Sequence, residues 1–204
     1  MTQLDIKIIP AEVLRKVAQP VASVDKRIAK FMHDMAETMY KGNGIGLAAN
    51  QVGSLERVIT VDTSEERDGA EVFLMANPEI IWSDPEETFT YNEGCLSIPG
   101  HYAKVTRPRR IRVTYLDAHG KKQELEAEDL FSQCIQHEID HLNGVLFIDY
   151  LSKLKRQMIE RKVEKAQRLD DEHILWHRLI LWQTFALFLW VHPILLCPLF
   201  RHSL

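Results

Sequence analysis

Apolar residues at Leu130, Cys134, Ile135, Ile139 and Leu142 recur at steps of three and four, and Gly144 stands where such a run stops. That spacing predicts a helix over 130–144. A second stripe, Ile28, Phe31, Met35 and Met39, predicts an amphipathic helix from Val24 to Tyr40, with Ser23 or Asp25 placed to cap it. Strand patterns fill much of the rest. Ile6–Ile9 reads as a short strand ended by Pro10, and Arg57–Asp62 as another. Val72–Met75 and Glu79–Trp82 read as two strands with Asn77-Pro78 turning between them. Glu87–Tyr91 leads as a strand into Glu93-Gly-Cys-Leu-Ser-Ile-Pro99. Arg110–Leu116 alternates apolar and polar, and Asp117-Ala-His-Gly120 turns it into Gln123–Ala127. A charge-rich helix follows from Tyr150 to Leu169. Many antiparallel strands with a few helices make an α+β chain, not an alternating α/β one.

One loop stands apart. Lys41-Gly-Asn-Gly-Ile-Gly-Leu-Ala-Ala-Asn-Gln51-Val-Gly53 packs glycines and alanines where backbone must turn tightly or approach something closely. Gly44-Ile-Gly46-Leu-Ala-Ala49 fits a loose dinucleotide fingerprint, but that needs a strand before it and a helix after it. Here the order is reversed, so the dinucleotide reading fails.

Composition narrows the class. At 204 residues the chain suits one domain with a sizeable core, and a net charge of −4 with pI near 6.1 gives no footprint for nucleic acid. Cys95, Cys134 and Cys197 are too few for a disulfide framework, and the N-terminus lacks the sections of a signal peptide. A reduced, cytoplasmic protein is the expectation, with its cysteines as thiols or ligands.

The chemistry gathers on the 130–144 helix. His137 and His141 fall one turn apart on one face, about 6 Å from each other, close enough to share a metal ion. Glu138, between them, can take a proton from a metal-activated water without binding the metal. Such a centre needs a third protein ligand. A metzincin would supply a histidine after Gly144, but Phe147 holds that place. A gluzincin would take a later glutamate, Glu160 or Glu164, and an upstream residue is the remaining option.

Three separated stretches, Gly44-Ile-Gly-Leu-Ala-Ala-Asn-Gln51, Glu93-Gly-Cys-Leu-Ser97 and Gln136-His-Glu-Ile-Asp-His141, together resemble the three signature motifs of the peptide deformylases, in order and spacing. The likeness covers roughly residues 1–170, and the charged helix after Tyr150 resembles the ending of the type I bacterial branch. It implies an α+β fold with antiparallel sheets packed around a central helix that carries the His-Glu-x-x-His motif. It implies an enzyme that hydrolyses the N-formyl group from the N-terminal formylmethionine of new polypeptides, releasing formate.

The resemblance also implies a site. Cys95, His137 and His141 hold the metal, Fe²⁺ in the family, with Zn²⁺, Ni²⁺ or Co²⁺ able to substitute, and water takes the fourth position. Glu138 deprotonates that water, the hydroxide attacks the formyl carbon, and Glu138 returns the proton to the amine. The Gln51 amide and the Leu96 backbone N–H meet the formyl oxygen. Gly44 and Gly46 let the substrate backbone lie against the loop, and Ile45 and Cys134 wall a slot for the methionine side chain. Glu93 and Arg107 pair to hold the cysteine loop. Cys134 also faces this side, but seven residues separate it from His141, about 10 Å along the axis. Packing is the better role for it.

Two positions depart from the family pattern. Asn50 precedes the glutamine, and Gly100-His-Tyr102 stands where many relatives place an arginine that touches the substrate backbone. The partners implied are formylmethionyl peptides and nascent chains at the ribosome, no nucleic acid, and a monomeric state.

The composition changes after residue 170. Trp176, Trp182 and Trp190 crowd a segment whose stretch Leu179–Phe200 lacks Asp, Glu, Lys and Arg, while His192, Pro193 and Pro198 interrupt it. The expected organisation is a catalytic domain over 1–170 and an atypical apolar tail over 171–204. The tail reads first as an exposed or membrane-associating appendage, with contact through residues 174–200. A true span ranks second, and a frameshift or fusion product is the third reading. Two functions compete with the deformylase reading: a zinc protease, and a membrane-tethered binding module without catalysis. The module would be expected to have lost Glu138, Gln51 or a ligand, and the chain keeps all of them.

Overall fold

The computed structural model describes residues 3–66, 69 and 71–169. The chain divides into two compact units, Met1–Val163 and Glu164–Leu204, and the site belongs to the first. The expected tail over 171–204 lies outside the described residues. Among those described, no helix is long and apolar enough to cross a membrane.

Helix α1 (Lys26–Lys41) begins where Asp25 caps it, its side chain accepting the Ile28 N–H at 2.8 Å. Among the described residues seven strands follow: β1 (Gly46–Ala48), β2 (Val58–Val61), β3 (Phe73–Ser83), β4 (Thr88–Cys95), β5 (Ile98–Pro108), β6 (Arg110–Leu116) and β7 (Lys122–Glu128). Helix α2 (Asp129–Leu142) comes next, and residues 153–169 are helical (α3). These strands pair with one another antiparallel throughout. One sheet runs β1-β2-β3-β6-β7, and β4 pairs with β5 in a separate hairpin. The α+β expectation holds.

The period of two in β2 separates the helices. Val58 packs in the cluster with Met32, Met35 and Met39 of α1, whereas Ile59 and Val61 pack with Ile135, Ile139 and Leu142 of α2. The five-stranded sheet therefore lies between the two helices, and α2 is central. A third cluster joins Leu14, Ile98, Val105, Phe147 and Ile148 to Ile159 and Val163 of α3.

Three strand expectations need correction. Ile6–Ile9 joins no ladder; its N–H groups make single bonds, Lys7 to the Gln51 carbonyl (2.7 Å) and Ile9 to that of Ser97 (3.1 Å). That extended segment thus ties two motif loops together. Val72–Met75 and Glu79–Trp82 are one strand, β3, interrupted by a bulge rather than a turn. Asn77 takes φ +51° there, and its side chain bonds both the N–H and the carbonyl of Val21. The third correction is an omission: the pattern predicts neither β5 nor the short β1 inside the glycine loop.

Candidate metal centre and active site

Three loops or helices converge on one point. The first is the end of the β4–β5 hairpin. Cys95 pairs with Ile98 across the two-residue turn Leu96-Ser97, and the register then jumps so that Gly94 faces Tyr102. Pro99, Gly100 and His101 bulge out to absorb the jump, with Gly100 at φ +74°. Cys95 is left half-buried at the tip of the strand, facing inward.

The second is α2. Its His137 and His141 rings lie 5.0 Å apart, both buried. Helix α2 stops as expected: Gly144 follows at φ +75°, and a side chain there would strike the Arg15 carbonyl at 2.6 Å. Cys95 Sγ lies 3.2 Å from His141 Nε2. The donor atoms of Cys95, His137 and His141 all fall within 4.8 Å of one another. Donors this near one another could turn toward a single ion. One thiolate and two imidazoles are a donor set that suits iron or zinc. The residues fit a divalent metal. Neither Glu160 nor Glu164 belongs to the group, and Glu160 pairs with Arg156 on its own helix.

The third is the glycine loop. Gly46 opens β1, an edge strand, and the 3-10 turn Ala49–Val52 carries Gln51. Ala48 N–H donates to Gln51 Oε1 at 2.8 Å, which turns the amide nitrogen inward, 3.4 Å from Cys95 Sγ and 3.3 Å from Ser97 Oγ. Leu96 folds its side chain over Gly44, where an added Cβ would meet it at 2.9 Å.

Electrostatics divide the polar groups by role. Burial pushes the Glu138 carboxyl up to about 7, and its Oε2 has no hydrogen-bond partner among the described residues. A carboxyl with a pKa near neutrality can both take and return a proton. Burial also drives the His141 ring well below its ordinary pKa, with the charge that His137 carries when protonated, and those of Arg107 and Arg15, adding to the effect, so the His141 ring is neutral. His137 Nδ1 lies 2.8 Å from Glu93 Oε2, which leaves Nε2 for the site. Burial raises the Glu93 carboxyl, but His137 and Arg107 together outweigh it and hold its pKa at about 2.

A cavity of about 550 Å³ opens beside these groups. Gly44, Ile45, Gly46, Gln51, Cys95, Leu96, Cys134, His137 and Glu138 line it, so every sequence-predicted site residue is brought together there except His141, which lies deeper. Cys134 is buried against the Ile45 carbonyl (3.4 Å) and is not in the donor group. The expected Glu93–Arg107 pair is present, with Nε donating to Oε1 at 2.6 Å. Missed by the sequence reading were Gln133, which donates to Glu93 Oε1 at 2.6 Å, and the pair Asp140 and Tyr150 beyond Arg107. Only a carboxylate inside the helix motif hinted at Asp140.

The sequence model of the polypeptide deformylase family matches residues 3–157. The chain belongs to this family. Peptide deformylase of Methylocella silvestris is 54% identical over 170 residues, covering 82% of this chain and 86% of that one. That of Rhizobium meliloti is 49% identical, covering 82% and 96%. Crystal structures of the peptide deformylases of Ehrlichia chaffeensis and Legionella pneumophila superpose with TM-scores of 0.78 each. They are 38% and 42% identical and cover 83% of this chain and 99% and 98% of theirs. The chain is thus a hydrolase of the peptide deformylase kind, which removes the N-formyl group from nascent peptides.

Proposed function

We propose that deformylation here depends on a divalent metal held by Cys95, His137 and His141, with Fe²⁺ as the native ion and Zn²⁺, Ni²⁺ or Co²⁺ able to replace it. When bound, such an ion lowers the pKa of a water and polarises the formyl oxygen. Glu138 takes the proton of the attacking water and delivers it to the departing amine, so that formamide and water become formate and a free N-terminus. Gln51 donates its amide N–H to the formyl oxygen as charge grows there, and the Leu96 backbone N–H supplies a second donor. The substrate backbone lies along Gly44 and Gly46 at the free edge of β1, as an added strand would. Its methionine side chain enters between Ile45 and Cys134.

The observation that carries this reading is the meeting of the three donors with the buried Glu138 carboxyl, whose Oε2 has no hydrogen-bond partner among the described residues. The test is metal content against activity. Chelated enzyme is expected to release no formate from formyl-Met-Ala-Ser and to regain turnover with one Fe²⁺ per chain. Full activity without metal would overturn the proposal.

Residues 1–170 form the catalytic domain in this reading, and 171–204 an appendage that contacts membrane through 174–200. The family match, residues 3–157, falls inside this proposed catalytic domain. A cytoplasmic monomer that meets formylmethionyl nascent chains at the ribosome completes the proposal.

A further inference from the structure

Glu93 is the group that sets the orientation of His137, and both of its oxygens are fully engaged. Oε1 accepts from Arg107 Nε and Gln133 Nε2, each at 2.6 Å, while Oε2 accepts from Arg107 Nη2 at 3.1 Å and lies 2.8 Å from His137 Nδ1. Where the guanidinium sits therefore decides where the carboxylate sits. The backbone does not fix the guanidinium. In the β4–β5 ladder Arg107 is opposite Phe89, and the residue opposite Glu93 is Ala103. Four strand positions, about 13 Å, separate the two pairs. Arg107 reaches Glu93 by leaning along the hairpin on a long, rotatable stem, so its head needs a hold of its own.

That hold comes from two residues outside the hairpin. Arg107 Nη1 donates to Asp140 Oδ2 at 2.7 Å and to Tyr150 Oη at 3.3 Å, and the Tyr150 hydroxyl donates to the same Asp140 oxygen at 2.8 Å. The Tyr150 ring lies under the guanidinium, 4.7 Å from Cζ to the ring centre. Asp140 stands on α2 between the two histidines, and Tyr150 ends the 3-10 turn Phe147–Tyr150 that leads to α3. Tyr150 is half exposed, so its ring also closes the outer end of an otherwise buried charge pair against water.

We propose that Asp140 and Tyr150 are positioning residues of the metal centre, which act through Arg107 and Glu93 to hold His137 in its ligating orientation. This rests on the reading of Cys95, His137 and His141 as the metal ligands. The hydroxyl and the ring contribute separately: one fixes Asp140, the other covers the guanidinium. Groups one step removed from a metal ligand ordinarily change metal affinity by about 10–100-fold.

The full chain loaded with Co²⁺ tests it, by following the ion's release to an excess of chelator and its visible spectrum. Tyr150→Ala is expected to release Co²⁺ about tenfold faster than the parent, with shifted ligand-field bands, and Tyr150→Phe to fall between. Asp140→Asn combined with Tyr150→Phe should give less than the sum of the two single effects, because both act on one guanidinium. A shifted spectrum separates this role from a general loosening of the fold, which leaves the bands of the folded molecules unchanged. Should Tyr150→Ala fail to fold, Tyr150→Phe and Asp140→Asn decide alone. Parent-like release rates and spectra in the folded variants would overturn the proposal while leaving the metal centre intact. A parent chain that takes up no ion, or whose uptake survives Cys95→Ala, would overturn both readings.

Discussion

Gly46 lies so close to Glu138 that a methyl group on its Cα would stand 2.4 Å from Glu138 Oε1 and 2.7 Å from Cys134 Sγ. Both of those side chains are buried, so neither can swing into solvent to make room. The edge of β1 and the face of α2 are fitted to each other at the point where the proposed mechanism moves a proton.

Gly46→Ala is accordingly expected to fold and bind metal but to lose at least about tenfold in kcat/KM, since a misplacement of about 1 Å near reacting groups costs up to about 10²-fold. Formate release by the variant, checked against its circular dichroism, measures this. An undiminished kcat/KM would show that the loop tolerates displacement.

The two described cysteines should part company on metal. Cys134→Ala is expected to retain one ion per chain, because Cys134 packs against Ile45 outside the donor group, whereas Cys95→Ala should lose it. Elemental analysis of both purified variants decides. Loss of metal from Cys134→Ala would mean the ligand set is wrongly drawn.

How much of this was legible follows from which residues speak locally. His137, His141 and the apolar stripe of α2 share one helical period, and the Asp25 cap and Gly144 stop are short-range signals, so both helices were readable. Strand β5 was not. Of its Ile98-Pro-Gly-His-Tyr-Ala-Lys-Val-Thr-Arg-Pro108 only Ile98, Ala103, Val105 and Arg107 are buried, and proline and glycine crowd its start. Its pairing with β4 makes it a strand. Asn77-Pro78 reads as a turn by local chemistry, yet Val21, far away in sequence, captures the Asn77 side chain and holds a bulge. The Glu93 network escaped for the same reason: Arg107, Gln133 and Asp140 meet only through tertiary packing.

Glu93 should matter to folding apart from the metal. Glu93→Gln leaves the buried Arg107 without its main counter-charge, and breaking a pair of this kind costs about 3–5 kcal/mol. Urea denaturation of the metal-free protein measures it. A loss under about 1 kcal/mol would show that Asp140 alone satisfies the guanidinium.

Acid stability has a local contributor in Asp149. Its carboxylate accepts from Leu146 N–H (2.8 Å) and pairs with Arg15 and Arg156. Burial raises its pKa, but the Arg15 bond, the Leu146 N–H and the two arginine charges outweigh it and hold the group below the ordinary 3.8. A carboxyl depressed in the fold stabilises above its unfolded pKa and loses that contribution as pH falls through 3.8 toward the folded value. Asp149→Asn should therefore cost on the order of 1 kcal/mol at neutral pH, with the gap to the parent closing as the pH drops below about 4. Denaturation curves from pH 7 to 3 trace it, and a gap that stays constant would contradict the assignment.

The most direct test of the whole account is formate release from formyl-Met-Ala-Ser by the anaerobically purified chain beside Glu138→Ala, with metal content measured on both. Turnover by the parent that vanishes in Glu138→Ala, while one ion per chain remains in each, is the predicted result. Turnover that survives the loss of this carboxylate would contradict its role as the base. No turnover by the parent with a full complement of Fe²⁺ would contradict metal-dependent deformylation by this chain.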